Sequence, residues 1–138
     1  MIGSAEQDAF VSEMRQAMVT TLRRDGSPAS SLVAYCRDGD DLLFSTTRYR
    51  LKAKTVAHDP RVVVAVLDGE GKGRFVSVEG SGVVEADEDG SGHIRLNRHM
   101  RANPEWTPPD GFAAKLRADG RVIIRVRPAR VSGMVTRA

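Results

Sequence analysis

Apolar residues along the chain recur mostly at every second position, the spacing of half-buried strands. The exception comes first. Ser4-Ala5-Glu6-Gln7 has the spacing of a capping box, and Phe10, Met14 and then Ala17 or Met18 follow at helical intervals. This predicts a short helix from Ala5 to Arg15 that lays one apolar stripe on the body of the protein. Met18 to Arg24 reads as a strand, Asp25-Gly26-Ser27-Pro28 as a turn and Ala29 to Arg37 as a second strand. Asp38-Gly39-Asp40 closes it, and Asp41 to Thr46 is a third strand. Short glycine-containing connections between these strands predict an antiparallel meander.

Arg48 to His58 departs from this pattern, with good helix formers ended by Pro60. Val62 to Leu67 is apolar without alternation, which predicts a strand covered on both faces. Asp68 to Gly73 is a turn, and Arg74 to Ala86 is a long strand with Gly80 and Gly82 on one face. That pairing of glycines predicts a bend or the close approach of another backbone. Asp87 to Ala102 reads as a helix, with acids at its start and Arg98 and Arg101 near its end. Asn103 to Gly120, with three prolines, reads as a loop with one helical turn. In Arg121 to Arg127, Val122, Ile124 and Val126 alternate with Arg121, Arg125 and Arg127, and Ala129 to Thr136 is a last strand. About seven strands and two or three helices give a mainly β protein. The expected architecture is a closed or split antiparallel barrel in one domain over residues 1–138.

The composition, 41% hydrophobic and 28% charged over 138 residues, excludes a wholly disordered chain. No apolar run is long enough to span a membrane, and Met1 to Phe10 is too polar and acidic for a secretory signal. Aromatics at 5% argue against single-stranded nucleic-acid binding on stacking platforms. The single cysteine, Cys36, excludes an intrachain disulfide and fits a reducing, cytoplasmic setting. It lacks a local nucleophile signature and reads as a structural thiol. His58, His93 and His99 have no metal-ligand spacing and read as exposed helix histidines, so no metal is expected.

The richest chemistry lies in Thr46-Thr47-Arg48-Tyr49-Arg50-Leu51-Lys52-Ala53-Lys54, four basic residues in seven positions. With Thr47 as the N-cap, Arg48, Arg50 and Lys52 crowd the positive end of a helix dipole, against a penalty of about 0.3–1 kcal/mol each. Two readings stand: a phosphate or carboxylate site beside free helix N–H groups, or a solvated charged face. A second basic group comprises Lys115, Arg117, Arg121, Arg125, Arg127 and Arg130. It reads first as an exposed sheet face, with a dimer interface or a site for a polyanionic tail as the sharper alternatives. Trp106 is either a core plug or a lid over a flat ring.

Met18 to Pro28, Leu42 to Thr47 with Arg50-x-Lys52, His58-Asp59-Pro60-Arg61-Val62, Phe75 to Gly80, and Arg121 to Val131 form a recognisable series. Together they resemble the pyridoxamine-phosphate-oxidase-like, FMN-binding-like split β-barrel family, in particular the actinobacterial branch that uses the deazaflavin coenzyme F420. Their order and spacing extend over most of the chain. The resemblance implies a homodimer with cofactor sites at the subunit interface and hydride transfer to an electron-poor organic substrate. By position, Arg50 and Lys52 would hold the cofactor phosphate, with Lys54 nearby. Ser31, Leu32, Val33, Thr46 and Thr47 would line the ring, and Arg74, Phe75 and Val76 would approach from the next strands. No side-chain nucleophile is required, and Tyr35 or water would supply a proton. An FMN-binding oxidoreductase on the same fold, or a non-catalytic cofactor- or tetrapyrrole-binding module, is the alternative.

Overall fold

A computed structural model describes residues 1–136. The elements in order are α1 (Ala5–Glu13), β1 (Gln16–Leu22), β2 (Pro28–Asp38), β3 (Asp41–Thr47), α2 (Leu51–His58) and β4 (Arg61–Leu67). They continue with β5 (Phe75–Glu85), α3 (Ser91–Met100), α4 (Phe112–Ala118) and β6 (Arg121–Ser132). The strands close into an antiparallel barrel in the order β1-β2-β3-β6-β5-β4. Alternation sets what fills it: Val19, Tyr35, Phe44, Val64, Val78 and Ile124 point inward and are essentially inaccessible. The expectation of a mainly β split barrel is met.

Six strands replace the expected seven, because Arg121–Arg127 and the segment after it are one strand. The register of β6 against β5 shifts between Glu79 and Gly80, with Gly80 opposite Pro128 and Glu79 opposite Arg130. This bulge accommodates a proline that has no N–H for the ladder. A Cβ at Gly80 would collide with the Arg127 carbonyl, which accounts for one of the two glycines read as a close approach. The strand β4 corrects a second expectation. Its burial alternates, with Val62, Val64 and Val66 inside and Val63, Ala65 and Leu67 only half-buried outside, because no helix among the described residues packs closely on β4.

The helices differ from their predicted bounds for local reasons. The Ser4–Gln7 capping box starts α1, whose Phe10 and Val11 are buried. Thr47 does not cap α2. It remains in β3, paired with Arg121, so the helix starts at Leu51 with Arg50 as N-cap and no side-chain cap. Thr55 of α2 bonds Thr21 of β1 across the barrel end. α3 starts later than expected, at Ser91, after Gly90 in the left-handed conformation. It lies outside the barrel, with Leu96 over Cys36, Leu43 and Ile123. No helix among the described residues is long and apolar enough to cross a membrane.

Candidate functional site

The barrel is split where β2 and β3 part. Their ladder runs from Asp38↔Asp41 to Tyr35↔Phe44 and stops. Beyond it, β2 pairs with β1 alone and β3 with β6 alone. Two strand edges therefore face a gap rather than each other, and such edges offer backbone donors and acceptors to a ligand. The gap forms a cleft of about 440 Å³. Leu32, Val33 and Ala34 line it from β2, and Ser45 and Thr46 from β3. Arg50 and Lys52 stand at the start of α2, with Arg121 beside them, and Leu96, Met100, Phe112 and Leu116 supply an apolar flank.

The charge in this cleft is one-sided. Among the described residues no carboxylate lines it. Among the described residues, neither Arg50 nor Lys52 takes part in an ion pair. Burial, and then the neighbouring Arg50 charge, push the Lys52 pKa down. An anion would relieve both effects. The α2 N-terminus adds its own positive potential, with no acidic residue in its first turn. The Thr46 hydroxyl, on a residue only 1% exposed, lacks any hydrogen-bond partner. A buried orphan hydroxyl costs about 1–3 kcal/mol. A phosphate-bearing ring fits these residues: two cations and an uncapped helix N-terminus at one end, open strand edges at the other.

The predicted residues do not all come together. Arg50, Lys52, Leu32, Val33 and Thr46 come together in the cleft. Thr47 and Ser31 flank it, paired with Arg121 and Val19. Lys54 does not join them; it is exposed on the other flank of α2 and lines a groove with Arg23, Arg24 and His58. Arg74 precedes β5 and Phe75 and Val76 begin it, whereas its opposite end, Glu85, is the one beside Ile123. Within one chain they lie far from Arg50. Arg74 is held by Asp68 at 3.0 Å and 3.1 Å and stacks on Phe10. Asp68 is kept well below the ordinary carboxylate range chiefly by that guanidinium. Val76 is fully buried, so only its backbone could approach a ligand, whereas Phe75 is 40% exposed.

Other expectations are corrected. Tyr35 is not a proton donor for the site: its hydroxyl is buried, donates to the Val11 carbonyl at 2.6 Å, and has its pKa raised by burial. Cys36 is a buried thiol pushed up to about 12 by burial, as a structural role requires. Arg125 is not free for a tail, since Asp38, Asp41 and Glu85 bind it at 3.0–3.1 Å. Trp106 packs edge-on against Phe112 and so supports the cleft's apolar flank.

Two histidines are not exposed. His99 bonds the Met14 carbonyl at 2.7 Å. His93 is 4% exposed and linked on both sides, with Nδ1 to Asp87 Oδ2 at 2.6 Å and Nε2 to Ser45 Oγ at 2.7 Å. Sequence spacing could not reveal this chain, because Ser45 and His93 are 48 residues apart and meet only when α3 folds over β3. The one local signal is an acid ahead of a helix. Asp87 takes a left-handed backbone, φ 51°, and its carboxylate accepts the N–H groups of Gly92 and His93.

The model of the pyridoxamine 5'-phosphate oxidase family matches residues 4–134. The chain belongs to this family. Among solved structures, an F420 reductase is 28% identical, with a TM-score of 0.72 over 91% of this chain and 94% of that one. An FAD-binding protein from Mesorhizobium loti is 25% identical, with a TM-score of 0.67 over 96% of this oxidase-family chain and 95% of that one. A protein from Mycobacterium tuberculosis, 20% identical, shares the fold with a TM-score of 0.78 over 96% and 84%. Among curated proteins none matches.

Proposed function

We propose that the protein is an F420-dependent oxidoreductase that reduces an electron-poor organic substrate. The observation that carries this reading is the Arg50–Lys52 pair, without an ion-pair partner among the described residues, at the open split of the barrel. Arg50, Lys52 and the first-turn N–H groups of α2 hold the cofactor phosphate. The free edge of β2 at Leu32 and Val33, together with Thr46, holds the ring, and Met100, Leu96 and Phe112 exclude water from it. The reduced deazaflavin, when bound, supplies a hydride, and the protein supplies position and a dry pocket. An F420 reductase among the similar structures supports this choice. So does the further charge near the mouth: Arg121 lines the cleft, and Arg48, bonded through its N–H to Gly120, sits beside it. These suit the oligoglutamate tail that F420 carries and FMN lacks.

The working unit is a symmetric dimer. Met18, Leu32, Val63 and Ala65 share the outer face of β1, β2 and β4, which leaves apolar surface such as the 54%-exposed Leu32 open. Phe75, remote from the cleft of its own chain, reaches a cleft only from a second copy. Light scattering should give twice the 15.0 kDa chain mass; a monomer at micromolar concentration counts against this arrangement.

A flavin is the second reading, favoured by the FAD-binding relative and by cations that would serve either phosphate. The absorbance and mass of the chromophore that co-purifies test the choice. A deazaflavin band near ~420 nm with the mass of F420 supports the first reading, and a ~450 nm band with a flavin mass supports the second.

A further inference from the structure

Asp87, His93 and Ser45 form a hydrogen-bonded chain that ends in the cleft, and their order has a chemical consequence. We infer that Ser45 is the proton-donating group of this site, recharged by His93, which Asp87 orients. The inference rests on the cofactor reading above.

The geometry supports it at each link. Asp87 Oδ2 lies 2.6 Å from His93 Nδ1 and accepts its proton, which fixes the ring and leaves Nε2 facing Ser45 Oγ at 2.7 Å. Asp87 is itself held by the N–H groups of Gly92 and His93 at 2.8 Å and 3.0 Å. His93 is buried, whereas Ser45 is partly open and lines the cleft with Thr46. A histidine that served only to anchor α3 would need the Asp87 bond alone. The second bond couples it to the one hydroxyl that reaches from it into the cleft.

The step balances as follows. A bound reduced cofactor would supply the hydride to one atom of a substrate C=C or C=N bond, leaving the bond's electron pair on the other atom. That atom takes the Ser45 Oγ proton. Ser45 takes the Nε2 proton of the His93 imidazolium, which becomes neutral while Nδ1–H stays on Asp87. A proton taken up from bulk solvent after product leaves restores the imidazolium. Arg50, Lys52 and Arg121 line the cleft together with Ser45 and His93. On the far side of Asp87, Asp38, Glu85, Asp89, Arg95 and Arg125 line a separate groove.

The test follows the His93 imidazole by ¹⁵N NMR in the wild type, Ser45→Ala and Ser45→Thr, while ring binding is read separately by fluorescence with oxidised F420 and FMN. Ser45→Ala leaves Asp87 and the α3 cap untouched, and Ser45→Thr restores a hydroxyl. Binding should move the His93 titration midpoint by about half a unit or more in the wild type and in Ser45→Thr, with little movement in Ser45→Ala. The acid limb of the single-turnover pH profile should be lost in Ser45→Ala alone. A ring that binds without moving His93 in the wild type, or that moves it equally in Ser45→Ala, overturns the relay and leaves the cofactor reading standing. If neither ring binds, both fall.

Discussion

Replacing Lys52 with alanine should weaken the ligand-bound protein and strengthen the free one. In the free protein, Lys52 sits in the first turn of an uncapped helix, next to Arg50 and with its charge disfavoured by burial. Removing a cation from that end of the dipole relieves about 0.3–1 kcal/mol. For a chain of this size that corresponds to a rise in Tm of about 1–4 °C. In the bound protein the same ammonium contacts phosphate, and a charge-assisted hydrogen bond contributes about 1.5–3 kcal/mol. The Kd should therefore rise roughly ten- to a hundred-fold. The two effects cross in one experiment. At a ligand concentration of about 100 times the wild-type Kd, binding stabilises the wild type by about 2.7 kcal/mol. A variant that binds tenfold more weakly gains only about 1.4 kcal/mol under the same conditions. Thermal melts of both proteins with and without F420 should narrow or reverse the Tm order on adding ligand. Equal affinities, or a free variant that melts several degrees lower, would refute the reasoning and move the phosphate elsewhere.

Other substitutions check the frame around the cleft. Gly80→Ala should lose about 1–3 kcal/mol of stability, read by denaturant unfolding, because its Cβ meets the Arg127 carbonyl at the β5–β6 bulge; an unchanged midpoint would mean the bulge relaxes freely. Arg74→Ala should be less stable than the wild type at neutral pH. Asp68's folded pKa is depressed chiefly by Arg74, so its contribution is present above the ordinary carboxylate pKa and is lost as pH falls. The Tm gap between the two proteins should accordingly close on acidification, and a gap independent of pH would contradict the pairing. Cys36, buried and with its pKa pushed up to about 12, should react with a thiol reagent only as fast as the protein unfolds; fast labelling of the native protein would show that α3 opens.

The parts legible in the sequence are those set by short-range rules. Ser4 and Gln7 announce α1 because a capping box is complete within four residues. Val122, Ile124 and Val126 announce the inner face of β6 because strand periodicity is exact. The cation pair of Arg50 and Lys52 stands out because it opposes a helix dipole. Long-range partners hide the rest. Thr47 looks like a cap until Arg121 pairs with it, and Arg125 looks free until three acids from β2, β3 and β5 converge on it. Lys54 shares a charge run with Lys52, yet two residues along a helix turn it to the other flank. Ser45, His93 and Asp87 carry no spacing that a linear reading can use.

The central claim, that the split between β2 and β3 takes a phosphate-bearing deazaflavin, is tested most directly by titrating F420 and FMN against the protein by fluorescence at low and high salt. Exposed ion pairs contribute about 0.2–1 kcal/mol each and are screened as the Debye length falls to roughly 3 Å at 1 M salt. With Arg48 and Arg121 beside Arg50 and Lys52, F420 should bind more tightly than FMN at low salt. Its affinity should rise with the length of the glutamate tail and fall more steeply as salt is added. Tighter FMN binding at every ionic strength would contradict the F420 assignment, and binding unaffected by the loss of both Arg50 and Lys52 would contradict the site.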